Sequence, residues 1–339
     1  CIQERGALAF LPREDTAPED CNALPMASSS SSTTTTTSAT AEGAFTLRCG
    51  SSKLSVSELT EEQRELTTVW KKEQEELKEE LVLEDAFEEI RHVAGVDISF
   101  STLDADVAVA GIAILSYPDM RILYSKCNTV RLTVPYIPGF LAFREVLHLQ
   151  QVILDAMEER PDIRPQIILV DGNGILHPRG FGQACHLGVL SNLPTIGVSK
   201  KFFHVDGITK DSIKALLERE PLEVGGFVDL VGDSGAIHGA ALRGGDAQNC
   251  VYVSPGHRVS HRTAVQLVQR MCKFRQPEPI RAADSITRQE VKKVDKLARS
   301  SGDGSREEGH HEGARNGRRR GKERGRKGRG RGRERVGLA

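Results

Sequence analysis

Residues 166–174 read Gln-Ile-Ile-Leu-Val-Asp-Gly-Asn-Gly, an apolar run that stops at an acidic residue followed by a turn. Continuous apolar runs of this length are typical of strands that are buried on both faces of a sheet. The segment before it, residues 141–159, has apolar residues at helical spacing and is followed by Pro161. A helix that leads into a fully apolar strand predicts a parallel crossover unit.

Three segments rich in Val, Ile and Leu precede this unit and cover residues 92–100, 107–117 and 121–130. Because only short turn-like stretches separate them, they predict an antiparallel meander of three strands. After the unit, helices are predicted over residues 183–192, 209–218 and 260–272, and strands over residues 194–199, 236–243 and 250–254. The predicted fold class is therefore α/β, with a mixed sheet of an antiparallel meander and parallel strands that is flanked by helices.

Composition divides the 339-residue chain into four predicted parts. Residues 1–55 are rich in Ser and Thr and cannot bury enough apolar surface to fold, so disorder is expected there. Residues 56–91 are rich in Glu and Leu and predict one or two acidic, mostly exposed helices. Residues 92–298 hold the α/β pattern, and residues 299–339 are dominated by Arg and Gly, which again predicts disorder.

The formal net charge of −1 hides two opposite charges. Residues 315–335 contain twelve Lys and Arg against two Glu, a net charge of +10. The rest of the chain carries 34 basic and 45 acidic side chains, a net charge of −11. A basic tail on an acidic body favours a polyanionic partner. The tail could tether RNA or serve as a nuclear or nucleolar targeting signal. The plain alternative is a solvated charged segment without a function.

The seven cysteines are scattered and form no C-x-x-C pair. This spacing argues against common zinc and redox motifs and favours reduced thiols in an intracellular protein. No apolar stretch approaches the roughly 18 residues that a membrane span needs, so no membrane association is expected.

Three acidic residues stand out by their positions in the predicted elements. Asp97 lies inside the apolar segment 92–100, Glu145 lies on the predicted helix, and Asp171 ends the apolar strand. Hard oxygen ligands that converge from separate elements suit Mg²⁺, which keeps water or substrate phosphate in its other positions. The alternative is three unrelated events: a salt-bridged strand Asp, a solvated helix Glu and a turn-capping Asp.

The loop after Asp171 is rich in glycine and carries further candidates. Open α/β sheets bind ligands beyond the carboxyl ends of their strands, and glycines let backbone amides approach a ligand closely. The pattern is not a dinucleotide fingerprint, because its glycines follow the acidic residue and the third is misplaced. A tight connection with a surface His is the plain alternative. The candidates in this loop are Gly172, Asn173, Gly174, Leu176, His177 and Arg179.

Two other segments have the composition of a nucleic-acid surface. Prolines on both sides hold Tyr136 and Ile137 in a stiff, extended segment, and a rigid aromatic tip can wedge between nucleobases. A Tyr packed on the core is the commoner result of such a segment. Lys200 and Lys201 follow a predicted strand and precede two Phe, a pattern that also fits an ordinary basic loop.

These segments together resemble the endonuclease V family from about residue 92 to residue 288. The resemblance rests on seven motifs in order: AGVDISF (94–100), PYIPGFLAFRE (135–145), LVDGNG (169–174), HLGV (186–189), IGVSKK (196–201), GHRVS (256–260) and PEPIRAAD (277–284). It implies a ribonuclease H-like fold and a Mg²⁺-dependent nuclease, with Mn²⁺ as a substitute ion.

The resemblance also implies roles for individual residues. It places Asp97, Glu145 and Asp171 on the family's metal-binding carboxylates, and Asp284 on a fourth, more variable metal position. Lys200 falls on the lysine near the cleaved phosphate and Tyr136 on the wedge. With the loop candidates, the predicted substrate-binding residues are Tyr136, Ile137, Pro138, Gly172, Asn173, Gly174, Leu176, His177, Arg179, Lys201 and His257.

The implied reaction is hydrolysis of the second phosphodiester bond 3′ to inosine, which leaves 5′-phosphate and 3′-hydroxyl ends. Animal-type members act on inosine in single-stranded RNA, and the Arg/Gly-rich tail favours this substrate. Deoxyinosine in DNA, as in repair by bacterial-type members, is the alternative, and a non-catalytic RNA-binding protein is the second alternative. We expect a monomer in the cytoplasm and in the nucleus, including the nucleolus.

Overall fold

The strands of the computed structural model belong to one mixed sheet within residues 59–302, the residues that the structure describes. They are β1 (His92–Phe100), β2 (Val107–Ser116), β3 (Ile122–Arg131), β4 (Ile167–Val170), β5 (Thr195–Ser199), β6 (Phe227–Val231), β7 (Ile237–Leu242) and β8 (Val251–His257). The helices are α1 (Glu61–Glu79), α2 (Leu141–Glu159), α3 (Gln183–Ser191), α4 (Lys210–Arg219), α5 (His261–Met271) and α6 (Glu278–Gly302). The predicted extension over residues 1–55 and the basic tail from residue 303 onward lie outside the described residues.

The sheet has the strand order β3-β2-β1-β4-β5-β8-β7-β6. Strands β1, β2 and β3 form an antiparallel meander, while β4 runs parallel to β1 and β5 runs parallel to β4. Strands β8, β7 and β6 complete the sheet with antiparallel pairings. The α/β fold class, the meander and the parallel crossover through α2 are therefore confirmed.

Helices cover both faces of this sheet, which explains why β4 is apolar at every position. Ile167 and Leu169 pack in a cluster with residues of α5 and α6, and Ile168 and Val170 pack with residues of α2 and α3. None of the four is more than 1% exposed. Burial of one such side chain contributes about 1.5–3 kcal/mol, so β4 holds both helical layers in place.

Helix α6 has no counterpart among the predicted elements, and it continues past residue 298, where the α/β domain was expected to end. Its buried positions include Ile280, Ala283, Thr287, Val291 and Asp295, which are three or four residues apart. Because a Thr and an Asp belong to the buried stripe, polar residues interrupt the apolar periodicity by which an amphipathic helix is recognised in a sequence. The short edge strand β6 is also absent from the prediction, since Asp229 interrupts its apolar residues.

The acidic lead-in forms a single helix, α1, and residues 80–91 then run without regular secondary structure. Helix α1 begins with a capping box, in which Thr60 and Gln63 each accept a hydrogen bond from the other's backbone amide. The segment after α1 is tied to the end of β8, because the amide of Arg258 donates to the carbonyl of Val82 at 2.7 Å. The amide of Ala86 in turn donates to the carbonyl of Arg258 at 3.2 Å.

The cysteines in the described part of the chain, Cys127, Cys185, Cys250 and Cys272, are free thiols, as their spacing predicts. Across residues 59–302 no helix is long and apolar enough to cross a membrane.

Candidate active site

Two neighbouring strands bring Asp97 and Asp171 together. Val96 of β1 and Val170 of β4 are partners in the parallel register, so the residues that follow them lie at the same level of the sheet. The amide of Asp171 also donates to the carbonyl of Val96 at 3.5 Å. The predicted convergence of these two carboxylates thus follows directly from the pairing of β1 with β4.

Helix α2 adds a third carboxylate to this pair. Glu145 is only 3% exposed, and Nε2 of Gln183, the first residue of α3, donates to its Oε2 at 2.8 Å. A cavity of about 260 Å³ is lined by Asp97, Glu145, Asp171 and Gln183 together with apolar side chains of β1, β4 and α2. Three carboxylates from three different elements therefore face one cavity.

The fourth predicted ligand, Asp284, reaches the cluster from α6. Its negative charge is close enough to raise the pKa of both Asp97 and Asp171. Its Oδ1 also accepts a hydrogen bond from Nε of Arg288 at 2.7 Å, in a pair whose side chains are 26% and 62% exposed. Because exposed ion pairs contribute little to stability, Asp284 can give up Arg288 and bind a metal cation instead at small cost.

Burial raises the pKa of each of the three innermost carboxyl groups. Desolvation raises the pKa of Glu145 to about 8, opposed by the hydrogen bond from Gln183 and assisted by the charges of Asp97 and Asp171. Desolvation likewise raises the pKa of Asp97 to about 6 and raises the pKa of Asp171. A buried cluster with this much unbalanced negative charge is stabilised when a cation binds to it.

The donor set suits a divalent cation that keeps part of its shell for water and substrate. Within residues 59–302, no three His, Cys, Asp or Glu side chains converge closely enough to enclose a metal by themselves. Mg²⁺ typically takes one or two carboxylates and completes its octahedron with water and phosphate oxygens. The adjacent carboxylates of Asp97 and Asp171 provide this kind of open, oxygen-only site, which also suits Mn²⁺.

One cation of the protein already lies against this cluster. Nζ of Lys200 is 3.7 Å from Oδ2 of Asp171, and the Lys200 side chain is 38% exposed. Nε2 of Gln276 approaches the same carboxylate oxygen at 3.5 Å. Lys200 therefore lies beside the carboxylates that are predicted to bind a metal, and Lys201 is exposed next to it.

Thr287 is a member of the site that the sequence does not indicate. Its Oγ1 donates to Oδ2 of Asp97 at 2.8 Å and lies 2.9 Å from Oγ of Ser99, from which it can accept. Since Thr287 is fully buried, this hydroxyl fixes the orientation of Asp97. Its one sequence signal is its spacing of three residues from Asp284 on a helix, which is visible only once α6 is known. Gln183 has no comparable signal.

Residues 134–140, called here the wedge loop, have an exposed tip and a buried anchor. Tyr136 is 41% exposed, whereas the neighbouring Ile137 is 1% exposed and packs in a cluster with Trp70 of α1. Trp70 stacks on Phe143 of α2 with ring centroids 4.8 Å apart. The loop thus presents Tyr136 outward from a firm base, as a wedge between nucleobases requires.

Arg179 joins the wedge loop to helix α1. Its guanidinium donates to Oε1 of Gln74 and to the carbonyl of Gly139, and its central carbon lies 4.1 Å from the ring centroid of Phe140. Gln74 is 2% exposed and also donates to the carbonyl of Phe181 at 3.0 Å. Arg179 is therefore engaged in holding the wedge loop, in contrast to the predicted contact with the base or with phosphate.

His177 has the same structural role. Its ring is hydrogen-bonded to the backbone of Gly139 and accepts a hydrogen bond from the amide of Arg179 at 3.3 Å. Burial lowers its pKa to about 4, so the ring is neutral at physiological pH. The structure does not bring His177 to the carboxylates, because the segment between Gly174 and Gly182 turns away from them toward α1.

The glycines of this loop pack against the protein interior. The amide of Gly172 donates to the carbonyl of Val170 at 2.8 Å, and the amide of Gly174 donates to Oγ of Ser254 at 2.9 Å. A Cβ atom on Gly174 would lie 1.9 Å from the carbonyl oxygen of Pro255, so no larger residue fits. The expected donation of these amides to a ligand is not met, since both already have partners.

Two other candidates in the loop are also held by the protein. Oδ1 of Asn173 accepts a hydrogen bond from Oγ of Ser199 at 2.7 Å, at the carboxyl end of β5. Leu176 is fully buried in an apolar cluster that includes Phe202. Asn173 thus stays close to the strand ends that carry the site, whereas Leu176 serves the core.

The structure places His257 at the other end of the sheet. It pairs with Thr195 at the start of β5, whereas Asp171 follows the last residue of β4. His257 is 4% exposed, and its Nδ1 accepts a hydrogen bond from the amide of Val82 at 3.3 Å. The predicted substrate-binding role does not fit this position. Because β8 is antiparallel to β5, its last residue lies away from the carboxylates, where it anchors residues 80–91.

The raised pKa of Glu145 leads to a prediction about stability. A carboxyl group with a pKa raised from 4.5 to about 8 stabilises the folded, metal-free protein below pH 5, and this stability is lost as the pH rises toward 8. We expect the free energy of unfolding in EDTA to fall by about 1 kcal/mol per pH unit between pH 6 and 8. The neutral variant Glu145→Gln should lose most of this slope in urea unfolding, whereas Glu158→Gln, an exposed change on the same helix, should keep it. Equal slopes for the wild type and Glu145→Gln would contradict the assignment.

Comparison with known proteins finds relatives over most of the described residues. The sequence model of the Endonuclease V family matches residues 75–285. The human Endonuclease V is 43% identical over 238 residues, which cover 68% of this chain and 84% of the relative. The crystal structure of the catalytic domain of human Endonuclease V has a TM-score of 0.66 and 40% identity, and the match covers 70% of this chain and 100% of that one.

A second solved structure shows a relative with nucleic acid. It is an Endonuclease V of Ciona intestinalis in complex with a 23mer DNA containing an inosine followed by a ribo-adenosine. Its TM-score is 0.66 and its identity is 34%, with 70% of this chain and 100% of that chain covered.

Proposed function

Because the chain belongs to the endonuclease V family, and is thus an endonuclease that hydrolyses phosphodiester bonds, we propose that its substrate is single-stranded RNA containing inosine. The observation that carries the proposal is the cavity onto which Asp97, Glu145 and Asp171 face, with Lys200 beside them. The proposed cut is at the second phosphodiester bond 3′ to inosine, with 5′-phosphate and 3′-hydroxyl ends as products.

The residues of the site have separate tasks in this reaction. Asp97 and Asp171 would hold a divalent cation, for which we propose Mg²⁺, and Glu145 and Asp284 would join as outer ligands, since within residues 59–302 no three such side chains enclose an ion together. When bound, such an ion activates the attacking water and neutralises charge on the leaving 3′-oxygen. Lys200, next to Asp171, would stabilise the negative charge that develops on the phosphate in the transition state.

Two hydrogen bonds keep the carboxylates in place for this task. Thr287 fixes Oδ2 of Asp97, and Gln183 fixes Oε2 of Glu145. These bonds are made inside the protein and do not depend on substrate, so the carboxylates are oriented before the strand arrives. Such preorganisation removes a reorganisation cost from the catalytic step.

The wedge loop supplies the second part of the proposal, access to the base. Tyr136 projects from a loop that Ile137 anchors in the core, and Arg179 holds Gly139 behind it. Insertion of an aromatic ring at a base step compensates for the stacking that the extruded base loses. Hypoxanthine is distinguished from guanine by its lack of a 2-amino group, so a close-fitting pocket for the extruded base would select inosine.

Two observations support RNA as the substrate. The Ciona relative is bound to a DNA in which a ribo-adenosine follows the inosine, and the 2′-hydroxyl of that nucleotide would adjoin the bond proposed for cleavage. The net charge of +10 over residues 315–335, outside the described residues, suits attachment to single strands without sequence preference. We propose that this tail tethers RNA and directs part of the protein to the nucleus and nucleolus.

A matched pair of strands tests the choice between RNA and DNA. Both contain inosine in single-stranded form and differ only in the 2′-hydroxyl of the nucleotide on its 3′ side. If one hydrogen bond to this hydroxyl is made in the transition state, we expect kcat/KM to be about tenfold higher for the strand that carries it. Strands with guanosine in place of inosine should remain uncut. Faster cleavage of the deoxy strand would favour the DNA alternative instead.

A further inference from the structure

The connection between α5 and α6 carries an exposed aromatic ring that the proposed reaction does not use. Phe274 is 52% exposed, and the guanidinium carbon of Arg281 lies 3.9 Å from its ring centroid. Nε of Arg281 is also 3.3 Å from Oε1 of Glu278, so the guanidinium is held from two sides. The ring is therefore supported by a cation while more than half of its surface is open to solvent.

The backbone that carries this ring is rigidly held. The guanidinium of Arg275 donates to the carbonyl of Cys250 through Nε at 3.3 Å and through its terminal nitrogen at 3.0 Å. A Cβ atom on Gly244 would lie 2.6 Å from the carbonyl oxygen of Phe274, and one on Gly245 would lie 2.7 Å from the Phe274 Cα. Such close contact holds the backbone of Phe274 in place without help from a ligand.

The same connection borders the catalytic cluster. Gln276, two residues beyond Phe274, approaches Oδ2 of Asp171 at 3.5 Å, the oxygen that Lys200 also faces at 3.7 Å. Residues 273–276 form a bend, so Phe274 and Gln276 are at most about 7 Å apart along the backbone, within the distance between successive phosphates of a nucleic-acid strand. A strand whose phosphate lies at Asp171 and Lys200 therefore has a neighbouring nucleotide within reach of Phe274.

We propose that Phe274 is a stacking platform for one unpaired nucleobase of the substrate strand, close to the cleaved bond, with Arg281 supporting the ring from behind. The proposal rests on the proposed function, because it requires that a nucleic-acid strand reaches Asp171. Stacking on an aromatic ring tolerates every base, so the platform contributes affinity and register without sequence preference.

The surroundings of the ring favour a base over an apolar partner surface. Lys273 is exposed on one side of Phe274, and the cationic Arg281 lies against the ring itself. A docking site for a protein helix or strand needs a contiguous apolar patch, whereas a single aromatic residue among cations is typical of single-strand binding sites.

The test compares Phe274→Leu, which keeps an apolar side chain, with Phe274→Trp, which keeps a stacking surface. Binding of an inosine-containing RNA strand is measured by fluorescence anisotropy in Ca²⁺, and cleavage is measured in Mg²⁺. We expect Phe274→Leu to raise Kd and KM by about 5- to 150-fold and to leave kcat unchanged. Phe274→Trp should stay within about twofold of the wild type. Phe227→Leu is the matched control, since Phe227 is 41% exposed on β6, four strands away from β4.

An abasic scan of the strand then locates the stacked base. At one position near the cut, loss of the base should weaken wild-type binding as much as Phe274→Leu does. For the strand that lacks this base, Phe274→Leu should cause no further rise in Kd. Three results would each overturn the stacking platform. Phe274→Leu could have the same Kd and KM as the wild type, or Phe274→Trp could weaken binding as much as Phe274→Leu does. In the third, Phe274→Leu would raise Kd for every abasic strand. If the wild type binds the strand but does not cut it, the proposed function fails. The binding measurements still decide the role of Phe274 in that case.

Discussion

Replacement of Asp97 by Asn is expected to lower the rate of strand cleavage about a thousandfold or more, while the affinity for the inosine-containing strand is kept. The variant removes one negative charge from the centre of the cluster but keeps an oxygen that can accept the hydrogen bond from Thr287. The loss corresponds to about 4 kcal/mol of transition-state stabilisation, which is the size expected when a catalytic metal is bound poorly.

Single-turnover cleavage and anisotropy on the same preparation separate the two effects. Asp119→Asn, an exposed change in the turn between β2 and β3, is the matched control and should behave as the wild type. Cleavage by the Asp97→Asn variant at a near-normal rate in Mg²⁺ would remove Asp97 from the catalytic set.

The second large effect is expected from Gly95→Ala in β1. A Cβ atom at this position would lie 2.1 Å from the carbonyl carbon and oxygen of Pro279 and 2.6 Å from the amide nitrogen of Ile280. These are backbone atoms at the start of α6, so the helix as a whole must move away from the sheet. Overpacking of this kind costs about 3 kcal/mol of unfolding free energy.

The same movement should reach the active site, because Asp284 and Thr287 are carried by α6. A displacement of about 1 Å in a positioning group can lower the catalytic rate about a hundredfold. We expect the Gly95→Ala variant to show both losses, measured by urea unfolding and by cleavage at a temperature where the variant is folded. Gly226→Ala is the control, since its added Cβ would lie no closer than 3.0 Å to neighbouring atoms. Full activity in Gly95→Ala would show that α6 does not position the site.

The parts of the site that strand ends define could be predicted from the sequence. Asp97 and Asp171 stand out because an acidic residue in or directly after an apolar strand is unusual and because parallel neighbours end at one edge of the sheet. The meander, the crossover through α2 and the helices α3, α4 and α5 follow from periodicity in the same way. These inferences need only local patterns and one rule of sheet topology.

The remaining parts depend on contacts between distant segments. Thr287 reaches Asp97 across 190 residues of sequence, and its helix is hard to recognise because the buried stripe includes polar side chains that serve the site. Arg179 and His177 resemble ligand-binding residues when only the glycine-rich loop is considered. Their partners on α1 and in the wedge loop give them a structural role, and no local pattern reveals those partners.

The union of α1 with the wedge loop decides how small an independently folding fragment can be. The similarity to the family begins at residue 75, inside α1, so a fragment cut at that point keeps all four acidic residues. It loses Trp70 and Gln74, and with them the cover over Ile137 and the partner of Arg179. A truncated protein of this kind would contain the proposed catalytic groups without the support of the wedge loop. We therefore expect an independently folding nuclease fragment to begin before α1, upstream of the boundary that similarity alone would suggest.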